Sequence, residues 1–287
     1  ADPGAHQHHP MKLNLFQVDA FCEGPFTGNP AAVVPLHQPI QAELMQKIAE
    51  ENNLSETAFT MAIPNATPST DGGAQPFALR WFTPTTEVDL CGHATLAAAA
   101  ALRAANIVSE DATSVEFSTK SGRLIAHYRS DESIEIDLPA AVSTKPIASE
   151  LIALTERALD VRTVSAFDHR YVLAVLESEE DVARLDPSEA ALRDIGKPVI
   201  ATAPGRENGV DFVSRFFAPT LGVLEDPVTG SAHCQLVPYW AATLGKADLT
   251  ARQVSQRGGR LECSLEDDRV RLAGEAFLYL KGEITVA

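Results

Sequence analysis

Along the chain, alternating and continuous apolar runs trade places with helical spacings in a regular rhythm. Leu13 to Phe21 alternates as a strand, and the turn cluster Gly24-Pro25-Phe26-Thr27-Gly28-Asn29-Pro30 leads into the apolar Ala31 to Val34. Gln41 to Glu51 carries Leu44, Ile48 and Ala49 at helical spacing, which predicts an amphipathic surface helix. Leu54 to Ala62 and Phe77 to Phe82 read as strands around a Pro, Thr, Ser and Gly loop at Asn65 to Gln75. Ala94 to Ala105 is Ala and Leu on every face until Arg103, so it predicts a helix surrounded by protein. Short strands follow at Val115 to Phe117, Arg123 to Tyr128 and Ile134 to Leu138. Surface helices at Glu150 to Leu159 and Asp181 to Arg193 flank strands at Tyr171 to Leu176 and Val199 to Ala203. Val210 to Phe217 is a further strand, and Ala232 to Leu244 a second apolar helix stopped by Gly245. Pro238 within it predicts a kink or a shortened helix. Arg269 to Leu272 and Ala276 to Leu280 close the chain as strands.

This rhythm occurs twice. Arg80-Trp81-Phe82-Thr83-Pro84, a polar loop and Gly92-His93-Ala94 are answered about half a chain later by Arg215-Phe216-Phe217-Ala218-Pro219, a polar loop and Gly230-Ser231-Ala232. A duplicated plan predicts an α+β fold of two similar domains, each a curved sheet wrapped around one helix, with a cleft between them. If both buried helices begin at that cleft, their unpaired N–H groups attract an anionic small molecule.

Composition narrows the function. The 287 residues are 45% hydrophobic, and no apolar run reaches the roughly 18 residues of a membrane helix. A net charge of −16 argues against nucleic acid, which needs clustered Lys and Arg, and it repels anions at long range, so a carboxylate must be captured by local donors. Cys22, Cys91, Cys234 and Cys263 are scattered without metal-ligand spacing, which predicts no zinc framework and no disulfides and makes a reducing cytoplasm the default compartment. No phosphate loop or dinucleotide fingerprint appears. Residues 1–10, with His6, His8 and His9, read as a tag or disordered leader ahead of Met11.

Four positions stand out for chemistry. Glu56, on the strand face shared with Leu54, Ala58 and Ala62, aims a carboxylate where its neighbours suggest burial, which suits a proton shuttle; the alternative is a solvated edge glutamate. His93 opens the first buried helix, where the positive helix end favours a neutral imidazole, and a capping role is the alternative. Ser231 is its counterpart, or an ordinary cap. Asp226, five residues before Ser231, orients the loop, accepts from substrate or assists proton transfer, or makes a turn ahead of Pro227. Glu225 beside it reads as solvated. Cys91 at a helix start has the setting of a reactive thiol, but the repeat puts Thr229 opposite it, so a two-thiol racemase lacks a partner. Cys234 reads as core, and Ser231 lacks a nucleophile elbow.

Phe26-Thr27-Gly28-Asn29-Pro30-Ala31-Ala32-Val33, Asn53-Leu54-Ser55-Glu56-Thr57-Ala58-Phe59, Cys91-Gly92-His93-Ala94-Thr95 and Glu225-Asp226-Pro227-Val228-Thr229-Gly230-Ser231-Ala232 together resemble the phenazine biosynthesis PhzF-like family. The resemblance implies a diaminopimelate-epimerase-like fold of two pseudo-symmetric domains, residues 11–125 with 275–287 and residues 126–274. It also implies a homodimer, no cofactor and no metal. In the phenazine-pathway member, dihydrohydroxyanthranilate is isomerised by a glutamate that moves a proton between carbons; the matching position is Glu56, and His93, Asp226 and Ser231 match other site residues. Asn29, Cys91, Gly92, Thr229, Gly230 and Ser231 are the expected substrate contacts. Cys91 occupies the place where related epimerases keep a catalytic thiol. The expectation is a cofactor-independent isomerase of a small carboxylate-bearing metabolite, with a Cys91-dependent racemase or epimerase and a non-catalytic metabolite-binding protein as alternatives.

Overall fold

The computed structural model describes residues 10–142, 145, 147–206 and 209–286. The expected tag, apart from Pro10, lies outside them. The first half of the chain contains β1 (Met11–Cys22), β2 (Asn29–Leu36), α1 (Ala42–Asn52), β3 (Glu56–Ala62), β4 (Phe77–Phe82), β5 (Glu87–Val88), α2 (Gly92–Ala104), β6 (Ser114–Thr119), β7 (Gly122–Tyr128) and β8 (Ile134–Pro139). The second contains α3 (Ser149–Leu159), β9 (Ser165–Asp168), β10 (Val172–Val175), α4 (Glu179–Ala183), α5 (Glu189–Ile195), β11 (Val199–Pro204), β12 (Phe212–Ala218), β13 (Val223–Asp226), α6 (Gly230–Leu244), β14 (Asp248–Gln253), β15 (Gly259–Glu266) and β16 (Arg269–Val286).

Among the described residues the strands join into one mixed sheet. Its order runs β1-β2-β3-β4-β6-β7-β8-β16-β15-β14-β12-β11-β10-β9, with β5 on β4 and β13 on β12, and β16 returns to β1. From β1 to β8 the successive pairings are antiparallel, parallel, antiparallel, parallel, antiparallel and antiparallel. From β9 to β16 the same succession recurs. A division at 125/126 would pass through β7.

α2 and α6 are buried on almost every side by the principal core, which includes Phe16, Trp81, Leu96, Phe117, Phe212, Leu236 and Trp240. Their Ala, Leu and Val content answers that position, because a helix enclosed by a sheet has no solvent face to fill. Smaller clusters sit under α1, around Met45, Ile48 and Phe59, and under α3 to α5, around Leu159, Leu192 and Phe217.

Several expectations change. The helix read over Asp181 to Arg193 is two, α4 and α5, because Pro187 disfavours helix at the residue before it and Ser188 starts a new one by accepting from Ala191 N at 3.2 Å. Pro238 does not shorten α6, which runs to Leu244. The carbonyl that proline leaves free, that of Cys234, accepts from Ala141 N at 2.8 Å. The two closing strands are one 18-residue strand, β16, which pairs with β8 and β15 in its first third and with β1 beyond Gly274. β9, β14 and β15 have no counterpart in the sequence reading. Leu54 packs with the α1 cluster rather than with Ala58, because β3 begins only at Glu56.

Candidate active site

The first residues of α2 and α6 meet head to head. A Cβ added to Gly92 would lie 3.3 Å from Gly230 Cα, and one added to Gly230 would lie 3.2 Å from Gly92 Cα. Only glycine allows the two helix starts so close an approach. Both helices begin two residues earlier than their hydrophobic pattern suggests, with Cys91 and Thr229 as the extended residues ahead of them. His93 and Ser231 therefore sit inside the first turns, not at the caps. The first N–H groups of a helix have no partner within it, so both sets of donors are directed at one place. That place is a cleft of about 960 Å³ whose walls include Glu56, Cys91, Gly92, His93, Asp226, Thr229, Gly230 and Ser231.

Around the helix starts, loops from both halves of the chain bring four functional groups together. Glu56 enters as the first residue of β3, whose parallel register with β2 sets Glu56 beside Ala31 and hence near Asn29. Its Oε2 lies 3.1 Å from His93 Nε2, with 16% of the Glu56 side chain and 5% of the His93 side chain exposed. Asp226 ends β13, opposite Phe216 on β12. Asn29, fully buried, joins the two: its Nδ2 donates to Asp226 Oδ1 at 2.8 Å and to Val228 O at 2.9 Å and lies 3.3 Å from His93 Nδ1. Its Oδ1 accepts from Ser55 at 3.2 Å. An amide nitrogen has two hydrogens, and the two shorter contacts use them, which leaves His93 Nδ1 free to carry its own proton toward Cys91 Sγ at 3.5 Å.

The charges follow from this packing. Burial opposes a charge on His93, but Cys91 and the Glu56 carboxylate outweigh it and hold the imidazole pKa well above its ordinary value. The neutral imidazole expected from the helix end is thus corrected: a carboxylate at 3.1 Å exceeds a partial helix charge. Burial pushes Asp226 up to about 6, with Glu56 adding to the rise and His93, Thr229 and Asn29 opposing it. Thr229 Oγ1 donates to Asp226 Oδ2 at 2.5 Å. Burial, and after it Glu56, raises the Cys91 thiol above its ordinary value, with His93 opposing the rise. Cys234 lies in the core as expected, and all four cysteines are free and buried. Glu225 is not solvated but forms a two-pronged pair with Arg215, at 2.7 and 2.8 Å, just as Glu87 does with Arg80 at 2.7 and 2.9 Å.

Glu56, Cys91 and His93 bring metal-ligand atoms within 4.8 Å of one another. The carboxylate lies at Nε2 of the ring and the thiol at Nδ1.

Three participants escaped the sequence reading. Gln253 on β14 accepts from Thr229 N at 2.9 Å and donates to Asp226 O at 2.7 Å, fixing the loop before α6; its strand carries no pattern that marks it. Tyr171 Oη meets Ser231 Oγ at 3.0 Å. Arg257 donates to the carbonyls of Gly28 and Thr27 and pairs with buried Asp19 at 3.0 Å, which anchors the backbone just before Asn29. Ser55, inside a quoted motif, was legible as a neighbour of Glu56 but not as a partner of Asn29.

A mixed sheet thus encloses two helices whose starts share a cleft lined by a carboxylate and an imidazole. Residues 18–282 match the phenazine biosynthesis-like protein family. An uncharacterised isomerase of Pseudomonas aeruginosa is 47% identical over 279 residues, covering 96% of this chain and 100% of that one. The crystal structure of a PhzF-family phenazine biosynthesis protein of Enterococcus faecalis is 42% identical, with a TM-score of 0.85 over 96% of this chain and 99% of that one. A hydroxyproline epimerase from Agrobacterium vitis, 10% identical over 96% of this chain and 92% of its own, shares the fold with a TM-score of 0.56. The chain belongs to the phenazine biosynthesis-like family, and it is an isomerase.

Proposed function

We propose that the protein is a cofactor-independent isomerase that moves a proton between carbons of a small carboxylate-bearing metabolite, with Glu56 as the acid–base group. The contact between Glu56 and His93 at the meeting point of two helix starts carries this reading. The substrate carboxylate sits on the N–H groups of Gly92, His93, Gly230 and Ser231, and Asn29, Cys91 and Thr229 shape the floor. Glu56 accepts the carbon-bound proton; the electron pair left behind delocalises toward the carboxylate end, where the helix donors stabilise the growing charge. Once protonated, Glu56 exchanges its carboxyl proton with solvent and delivers a proton to a second carbon, so the net change is an isomerisation that carries solvent hydrogen into the product. Charged His93 holds the Glu56 carboxylate in place as it cycles, and Asp226 positions substrate through the Asn29 and Thr229 bonds.

The two halves are read as pseudo-symmetric domains, supported by the recurrence of the pairing succession and of the Arg–Glu pair before each buried helix. A homodimer belongs to the same proposal. The outer part of β16 supports it, being paired on one edge to β1 while Phe277, Leu278, Tyr279 and Leu280 are exposed. The reducing cytoplasm remains part of the reading, supported by the four free thiols.

A metabolite panel incubated in D₂O and scored by mass increase identifies turnover. Glu56→Gln should abolish deuterium uptake while leaving the fold and ligand binding intact, and uptake retained by that variant rejects the assignment. Cys91→Ser should keep uptake; its loss at a chiral α-carbon would favour the racemase reading instead.

A further inference from the structure

The cleft has a second polar feature that proton transfer at Glu56 does not use. Arg170 stands on its wall, exposed, and its guanidinium lies 5.3 Å from the ring centre of Tyr171. The other arginine of the lining and one of its acids are matched, while Asp89 on the same wall is exposed. Arg193 pairs with Glu189, and Glu87 is held by Arg80 and Lys120. Arg170 has no carboxylate partner among the described residues, although the chain carries 39 Asp and Glu against 23 Lys and Arg. In a molecule so acidic, an arginine left unpaired at a cleft is available for an anion that arrives from solution.

The segment carrying it is fixed rather than loose. Tyr171 is buried, packs edge-on against Phe216 at 4.9 Å, and bonds through its hydroxyl to Ser231 Oγ at 3.0 Å. Gln235, buried inside α6, donates to the Tyr171 carbonyl at 3.1 Å. Tyr171 thus ties the start of α6 to Arg170. The guanidinium carbon and Ser231 Oγ lie no more than roughly 11 Å apart, the two contacts being joined through one phenol ring. The two groups are therefore near enough for one small molecule to reach both.

We propose that the cleft selects a substrate with two anionic groups, one on the helix starts at Gly230 and Ser231 and the other on the guanidinium of Arg170. This deepens the isomerase reading and rests on it for the first anion only. Arg170 is a specificity residue: it touches the far end of the substrate and takes no part in proton movement. The negative field of the whole protein disfavours a dianion relative to a monoanion, so a preference for two charges must arise locally.

The test compares terephthalate with 4-carbamoylbenzoate, which has the same outline and one charge fewer, by isothermal titration at fixed ionic strength. The wild type should bind terephthalate at least about tenfold more tightly, the scale of one charge-assisted hydrogen-bonded pair. Arg170→Gln should bring terephthalate down to the level of the mono-amide and leave the mono-amide unchanged; Arg170→Lys should keep part of the preference, as a point charge in place of a fork. Equal binding of the two probes by the wild type, or a preference that survives Arg170→Gln, overturns the inference while leaving the Glu56 reading in place. If neither probe binds, the inference falls together with the carboxylate site at the helix starts, and Glu56-dependent deuterium uptake then decides separately whether proton transfer stands.

Discussion

Asn29 makes the electrostatics of the site measurable by stability alone. Its side chain is fully buried and supplies the donors to Asp226 Oδ1 and the Val228 carbonyl. Asn29→Ala removes both and leaves two buried acceptors without partners. A hydrogen bond to a charged group contributes about 1.5–3 kcal/mol, and a neutral buried acceptor left unpaired costs about 1–3 kcal/mol. Which figure applies to Asp226 depends on pH. Its native pKa is raised from 3.8 to about 6, so its favourable contribution is fully present below about 3.8 and is lost as pH rises through about 6. Asn29 opposes that rise, and removing it moves the native pKa further up and deepens the loss on the alkaline side. The variant should be less stable than wild type by about 2–4 kcal/mol at pH 5, where both orphaned acceptors are neutral, and by about 1–2 kcal/mol more at pH 8, where Asp226 is charged. Urea unfolding followed by the fluorescence of buried Trp81 and Trp240 reads both values. A difference that is flat between pH 5 and 8, or below about 1 kcal/mol throughout, would refute the placement of the Asn29–Asp226 bond in a buried site.

Two further predictions concern α6. His233 is buried, bonded through Nδ1 to Thr229 O at 2.8 Å, and burial lowers its pKa to about 4. Its contribution is fully present above about 6.5 and lost as pH falls toward 4, so the wild type should lose roughly 3 kcal/mol relative to His233→Gln over that interval, read as the difference between their unfolding curves at pH 7, 5.5 and 4. Gly230→Ala places a methyl 3.2 Å from Gly92 Cα and forces the helix starts apart by a few tenths of an ångström. It should weaken 4-carbamoylbenzoate binding about tenfold while the protein stays folded, and unchanged titration would show that the helix starts do not hold the anion.

By itself the chain specified most of its local elements and many of the residues that meet at the cleft. Continuous Ala and Leu around Ala94 to Ala105 dictate burial on all sides, and the recurrence of an Arg-aromatic strand before each glycine-led helix announced that α2 and α6 serve equivalent places. Glu56, His93, Asp226 and Ser231 were legible because short motifs mark turns and helix starts. Tertiary structure alone decided who touches whom. That the imidazole pKa is raised depends on Cys91 beside it and on a glutamate 37 positions away in sequence, that Pro238 costs α6 no length depends on Ala141, and that Gln253 fixes the Asp226 loop depends on a strand whose residues announce nothing. The physical reason is one of range. Periodicity and turn chemistry act over a few residues and are written locally, whereas pKa, close approach and hydrogen-bond satisfaction are set by whatever the fold brings within about 3–4 Å, regardless of its distance along the chain.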